Sequence, residues 1–195
     1  MTTLDRPLGR LARLIAFAAT GLLVLAVSAP AFARSGAGDA RRDPGIRFEI
    51  DRASYRVHVV DLKTGEKGPE VPVAIGSPAH PSPTGEFKVW QVVHDPAWNP
   101  GRTARSLGAR RVPAGPDGPL GVAKIPIQGE YALHGGANWL TVGKPLTLGC
   151  LRATDASILE LIAWLESRGA LAAKAAKRTG EKPQPFTRPA RFVIR

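Results

Sequence analysis

From residue 46 onwards, apolar and polar positions alternate in short runs broken by glycine and proline, a pattern of strands. Arg47-Phe-Glu-Ile50 reads as a first strand and Asp51 to Ser54 as a turn. Tyr55-Arg-Val-His-Val-Val60 follows, with Tyr55, Val57 and Val59 on one face, so the two runs make a hairpin. Lys63 to Gly68 is a turn by its glycines and charges. Glu70 to Gly76 is a third strand, in which Pro72 implies an edge or a bulge. Ser77 to Gly85 holds Pro78, Pro81 and Pro83 and makes a stiff loop. Glu86 to Val93 is a strong strand with Phe87, Val89, Gln91 and Val93 on one face. Leu120 to Ile127 and Tyr131 to His134 are further short strands, and Arg191 to Arg195 is a closing one.

One segment has the helical period. Ile158, Leu159, Ile162 and Leu165 recur at helix spacing, Thr154 or Asp155 can cap the start, and Gly169 ends or bends it. The Ala-rich, basic run from Leu171 to Arg178 extends the helical expectation, and the three prolines between Lys182 and Pro189 break it. Trp90, on a strand, and Trp164, on the helix, are assigned to the core. Many strands around one or two helices in 195 residues predict one mostly β domain. The irregular stretch from Asp95 to Pro119 is too long to be an idle connection and is expected to serve function.

The first 33 residues follow a different rule. Arg6, Arg10 and Arg13 precede an uncharged stretch from Leu14 to Ala33 that ends in Ala31-Phe32-Ala33. A basic region, an apolar region and a small-x-small site predict a secretory signal peptide, residues 1–33, cleaved after Ala33. The alternative is an uncleaved membrane anchor, and no other membrane contact is expected. Residues 34–45 form a polar tether, which leaves residues 46–195 as the domain. The whole chain carries a formal charge of +11; without residues 1–33 it carries 24 basic and 15 acidic groups, or +9. That excess suits an anionic neighbourhood such as a cell wall. The basic residues are scattered, with no Arg-rich helix or aromatic interleaving, so nucleic acid is not an expected partner.

Export makes the single cysteine informative. An exported chain normally pairs its cysteines or avoids them, yet Cys150 has no intrachain partner. It is a reactive thiol or an inert buried one. A thiol attacks carbonyls as thiolate, and a nearby imidazole can take its proton. Of the four histidines, His134 is the best candidate base, because it ends a strand and precedes Gly135-Gly136, where substrate backbone can approach closely. Cys150 lies in Thr147-Leu-Gly-Cys-Leu-Arg152, and Gly149 lets successive amides turn towards one oxygen, an oxyanion hole. No acid stands beside His134 in sequence, so a backbone carbonyl is one candidate to orient it. His58 is expected in a strand without a role, His80 in a loop, and His94 either at the cleft or on the surface. One cysteine and scattered histidines have no zinc-ligand spacing, and no metal is expected.

These residues together resemble the L,D-transpeptidase catalytic domain family, the YkuD type. His134-Gly135, Gly143, Thr147, Gly149-Cys150 and Leu151-Arg152 match its His-Gly … Ser/Thr-x-Gly-Cys-aliphatic-Arg signature. Pro83 to Phe87 and His94 to Pro100 match upstream stretches, and the resemblance covers about residues 46 to 168. It implies a mostly β fold, a bent mixed sheet or sandwich with one or two packed helices. It implies Cys150 as nucleophile, His134 as base and the Gly149 and Cys150 amides as oxyanion donors. Arg152 shapes the site or meets a substrate carboxylate; Thr147 supplies a hydroxyl, and Gly135 lets substrate approach. Trp139, between base and nucleophile, either contacts a stem peptide or packs in the core. Three positions depart from the usual pattern: Leu148 stands where many members have His, Gly136 where Thr is usual, and Thr147 replaces the commoner Ser.

The substrate implied is the peptidoglycan stem peptide, attacked at the bond between an L-configured centre and the terminal D-Ala, without a cofactor. An amine on glycan or protein then resolves the thioester. Two other classes stay open: a hydrolase or L,D-carboxypeptidase in which water resolves the same thioester, and a non-catalytic wall-binding module. The signal peptide implies the periplasm or the outer cell wall.

Overall fold

The computed structural model describes residues 45–174 and 179–195. The expected signal peptide, the tether up to residue 44 and the last four residues of the Ala-rich run lie outside the described residues.

Strands form where the alternation places them. β1 (Ile46–Asp51) buries Ile46, Phe48 and Ile50, and β2 (Arg56–Asp61) buries Val57 and Val59. They pair antiparallel with Phe48 opposite Val59. Tyr55 sits just before β2 at φ +55 and packs at the margin of the core. The third expected strand divides into β3 (Val71–Pro72) and β4 (Ile75–Gly76). β5 (Gly85–His94), β6 (Ala123–Gln128), β7 (Tyr131–His134), β8 (Pro145–Thr147), β9 (Leu151–Arg152) and β10 (Lys182–Ile194) follow, with helices α1 (Arg102–Ser106) and α2 (Asp155–Ser167). The main sheet has the order β3-β2-β1-β10-β5-β6-β7-β9, and β4 pairs with β8 in a separate ribbon. The sheet is mixed: β1–β10 and β7–β9 run parallel and the other pairs antiparallel. Pro72 lies on the edge strand, where its missing N–H leaves no ladder bond unmade.

The helix begins at Thr154, whose Oγ1 accepts from the Ser157 N–H. Its buried stripe is Ile158, Leu161, Ile162 and Leu165. Leu159 was expected on this face but is 52% exposed. One residue past Ile158, it is turned about 100° away, and Leu161 takes its place. Gly169 ends the helix at φ +61, with its N–H donating to Glu166 O and that of Ala170 to Leu165 O. The core centres on Phe48, stacked on Phe192 with centroids 4.6 Å apart. Each large side chain buried here contributes about 1.5–3 kcal/mol.

Four expectations are corrected. Trp90 is 72% exposed; on β5 it points to the face opposite Phe87 and Val89, so period two itself turns it away from the core. Trp164 does pack against the core. Leu171 to Lys174 are not helical: Leu171 forms a bridge with Phe186, and the Ala172 N–H donates to Pro185 O. The closing strand is longer than expected: β10 begins at Lys182, among the prolines, rather than at Arg191. β1 pairs only from Ala190 onwards, so the missing N–H groups of Pro183 and Pro185 leave no ladder bond unmade on that side. The strand absorbs the irregularity as a register shift between Pro185 and Ala190. His94 lies neither at the cleft nor on the surface. It is buried, with Nε2 donating to Gln184 Oε1 at 2.7 Å, and Gln184 in turn donates to Glu166 and Ala172 O.

The shifted segment of β10 is tied down by one ion pair. Arg188 meets buried Asp61 through two parallel bonds of 2.6 and 2.7 Å. These bonds hold the Asp61 carboxyl down from its ordinary 3.8 to about 2. A depressed acid stabilises the fold fully above its unfolded value and loses that contribution as pH falls through the folded one. The stability difference between the native chain and Asp61→Asn, measured by denaturant melts, should hold steady above about pH 4 and close towards pH 2. A difference unchanged at pH 2 would contradict the role of this pair.

Candidate active site

Two short strands assemble the site. β7 ends at His134, and β9 lies parallel beside it with Leu133 opposite Leu151 and His134 opposite Arg152. Cys150 stands one residue before β9, so the same register sets it opposite Ala132, two residues before His134. Cys150 and His134 both line one cleft of about 790 Å³, a size that accommodates a peptide-sized ligand. The stretch from Asp95 to Pro119, expected to serve function, forms one wall of it through Trp98, Asn99, Gly101 and Thr103.

His134 is buried, and its Nδ1 lies 2.8 Å from Gly135 O. A carbonyl only accepts, so Nδ1 carries the proton and Nε2 keeps a lone pair. Burial pushes the imidazole down from 6.5 to about 4; the Gly135 bond and the charge of Asp155 oppose the drop, while Arg152 adds to it. The ring is therefore neutral at neutral pH. Cys150 is partly buried, with its thiol directed at Glu130 O at 3.5 Å. Burial pushes the thiol up, the Ala132 N–H and Arg152 pull it down, and Glu130 pushes it further up. The resting pair is a neutral thiol and a neutral imidazole.

Thr147 holds the turn before the cysteine. Its Oγ1 donates to Cys150 O at 2.6 Å and accepts from the Gly149 N–H at 3.1 Å. Gly149 has φ +113, and a Cβ there would fall 2.4 Å from the Tyr131 ring. Glycine is needed for both reasons. Arg152 lines the cleft, and its buried Nε has no hydrogen-bond partner among the described residues. Gly135 is buried at the end of β7. Trp139 is 75% exposed, so it does not pack in the core, and it is not among the residues lining the cleft. His80 lies in its loop as expected and lines the cleft, whereas His58 stays on β2 beside Glu70. Among the described residues, no group of three or more His, Cys, Asp or Glu is placed to hold a metal ion.

Sequence reasoning missed three contributors. Asp155, read only as a helix cap, sends Oδ1 across to accept from the Val122 and Gly136 N–H groups. A Cβ on Gly121 or Gly135 would fall 2.1 or 2.0 Å from this oxygen. The carboxylate thus pins the turn whose Gly135 carbonyl orients the histidine. Tyr131 covers Gly149, and Glu130 borders the thiol. An acid at the first position of a helix was a visible signal for Asp155; nothing local marked the other two.

A family model described as the L,D-transpeptidase catalytic domain, YkuD, matches residues 46–182. No curated protein matches the chain. Among solved structures, L,D-transpeptidase 3 from Mycobacterium tuberculosis is similar with a TM-score of 0.51 at 13% identity, over 78% of this chain and 61% of that one. A structure of that enzyme with a faropenem-derived adduct is similar with a TM-score of 0.51 at 14% identity, over 78% and 60%. The chain therefore spans about three-fifths of the length of these proteins. At such identity the likeness shows the fold, a curled mixed β sheet with two helices.

Removing the Asp155 carboxylate orphans the part-buried Val122 N–H, which costs about 1–3 kcal/mol. Asp155→Ala should lower the midpoint of a denaturant melt accordingly, and Asp155→Asn, which keeps an acceptor oxygen, should lose less. Equal losses in the two variants would show that the charge, not the acceptor, holds the turn.

Proposed function

The chain belongs to the L,D-transpeptidase catalytic domain family, and on that premise we propose that it is a cysteine-dependent acyltransferase acting on peptidoglycan stem peptides. The observation that supports this most is the Nδ1–Gly135 bond, which leaves His134 Nε2 as a lone-pair nitrogen in the cleft that Cys150 also lines. The neutral resting pair makes proton transfer part of the attack. Cys150 Sγ bonds to the carbonyl carbon between the L-centre of the third residue and the terminal D-Ala, while its proton passes to Nε2. The Cys150 N–H receives the developing oxyanion. The Gly149 N–H, expected to share this task, donates instead to Thr147, and its contribution is to hold the turn. Arg152, with its Nε unpartnered, meets a substrate carboxylate. Collapse of the intermediate breaks the C–N bond, His134 returns the proton to the departing D-Ala amine, and a thioester remains. An amine then attacks the thioester and restores the thiol. In this reading the protein works in the periplasm or outer wall, reached through the signal peptide of residues 1–33.

Intact-protein mass spectrometry with a carbapenem should show a single covalent adduct, absent in Cys150→Ala. An adduct that persists in the mutant removes Cys150 from the mechanism. His134→Ala should slow adduct formation by about 10²–10⁴-fold. The native rate should hold through neutral pH and fall only as pH drops towards about 4, where the imidazole protonates. A fall centred near pH 6.5 would place the base in a solvated environment and contradict its burial.

A further inference from the structure

One carboxylate in the cleft stands beside the candidate nucleophile. Glu130 occupies the turn between β6 and β7, where its backbone oxygen faces the Cys150 thiol at 3.5 Å. Its side chain reaches the opposite wall: a Cβ on Gly101 would fall 1.1 Å from Oε2 and 2.8 Å from Oε1. The missing side chain at Gly101 is therefore the seat of the carboxylate. Among the described residues, Glu130 is the one acidic side chain lining the cleft. No hydrogen bond or ion pair there engages its carboxylate, while the neighbouring cation Lys124 is matched by Glu181 at 3.2 Å. A negative charge beside the nucleophile opposes thiolate formation, so it works against the first half of the reaction. Its benefit falls in the second half.

Resting on the acyltransferase reading, we propose that Glu130 determines acceptor specificity, drawing a cationic amine to the thioester in preference to water and neutral amines. Alkyl amines of diamino acids are ammonium ions at neutral pH. An unpaired carboxylate in a partly enclosed cleft concentrates such cations. Arg152 offers the complementary site for a carboxylate, so the cleft carries one group for each charge of an amino-acid zwitterion. The bound ammonium loses a proton to solvent before attack. The amine nitrogen then bonds to the acyl carbon and the C–S bond breaks. A nitrogen-bound proton passes through His134 to the sulfur, leaving an amide and a free thiol.

The test reads how the thioester partitions. Purified protein is incubated with disaccharide-tetrapeptide carrying a diamino acid, which serves as donor and cationic acceptor, with methoxyamine as a neutral competitor. Dimer, methoxyamide and hydrolysed tripeptide are counted per D-Ala released, so a changed acylation rate cancels. Glu130→Gln should lower the ratio of dimer to tripeptide about tenfold, the order expected of one screened charge, and leave the ratio of methoxyamide to tripeptide nearly unchanged. Gly101→Ala, which keeps the charge but displaces the carboxylate, should act in the same direction. In the native protein, raising salt from about 50 to about 500 mM should lower the dimer ratio but not the methoxyamide ratio. Unchanged partition in the variants, or equal loss for both acceptors, overturns the role of Glu130. Absence of D-Ala release and of any thioester in the native protein overturns the acyltransferase reading instead.

Discussion

β7 and β9 run parallel for two residues, and on this short ladder the placement of His134 relative to Cys150 depends. It is too short to hold by itself. The Ala153 N–H extends it by donating to His134 O, and the Gly135 N–H anchors the end of β7 to Ala123 O. Asp155 then locks the following turn from the first residue of α2. The helix is held in turn by the burial of Ile158, Leu161, Ile162 and Leu165. The hydrophobic core thus reaches the chemistry through one carboxylate, which couples helix packing to the orientation of the imidazole.

In the proposed reaction, the electrostatics of the cleft express a compromise between two steps. A dry environment keeps both His134 and Cys150 neutral at rest, so no thiolate stands exposed to oxidation between turnovers. Arg152 favours the thiolate and Glu130 disfavours it. A cleft built only for nucleophilic attack would have no use for the second influence. A cleft that must also receive an amine does.

The scaffold keeps this cleft open by placing irregularity elsewhere. β10 enters the middle of the sheet between β1 and β5 although it holds three prolines. Its shifted segment lies where β1 does not reach, and Arg188 ties it to Asp61. The tail after Gly169, without an evident task in the sequence, is therefore central to the sheet.

Much of this was readable without coordinates. Alternation located β1, β2, β5 and β7, because a strand with one covered face must repeat every two residues. The cap at Thr154 and the stop at Gly169 were legible because helix ends are local chemistry. Cys150, His134 and the glycines around them stood out because a lone thiol in a turn is rare in a chain expected to be exported. Other features lay beyond local reading. Trp90 and Leu159 were misplaced because hydrophobicity does not say which face a neighbour will cover. The start of β10 at Lys182 was not legible because proline's cost depends on whether a strand lies on its N–H side, which is a property of the sheet. Glu130, Tyr131 and Asp155 act across separations of 18 to 33 residues, on Cys150, Gly149 and Val122. The chain by itself determined which groups are reactive, because reactivity belongs to residue types and their near neighbours. Only the tertiary structure decided which charges surround them, because electrostatic and steric effects follow distance through space.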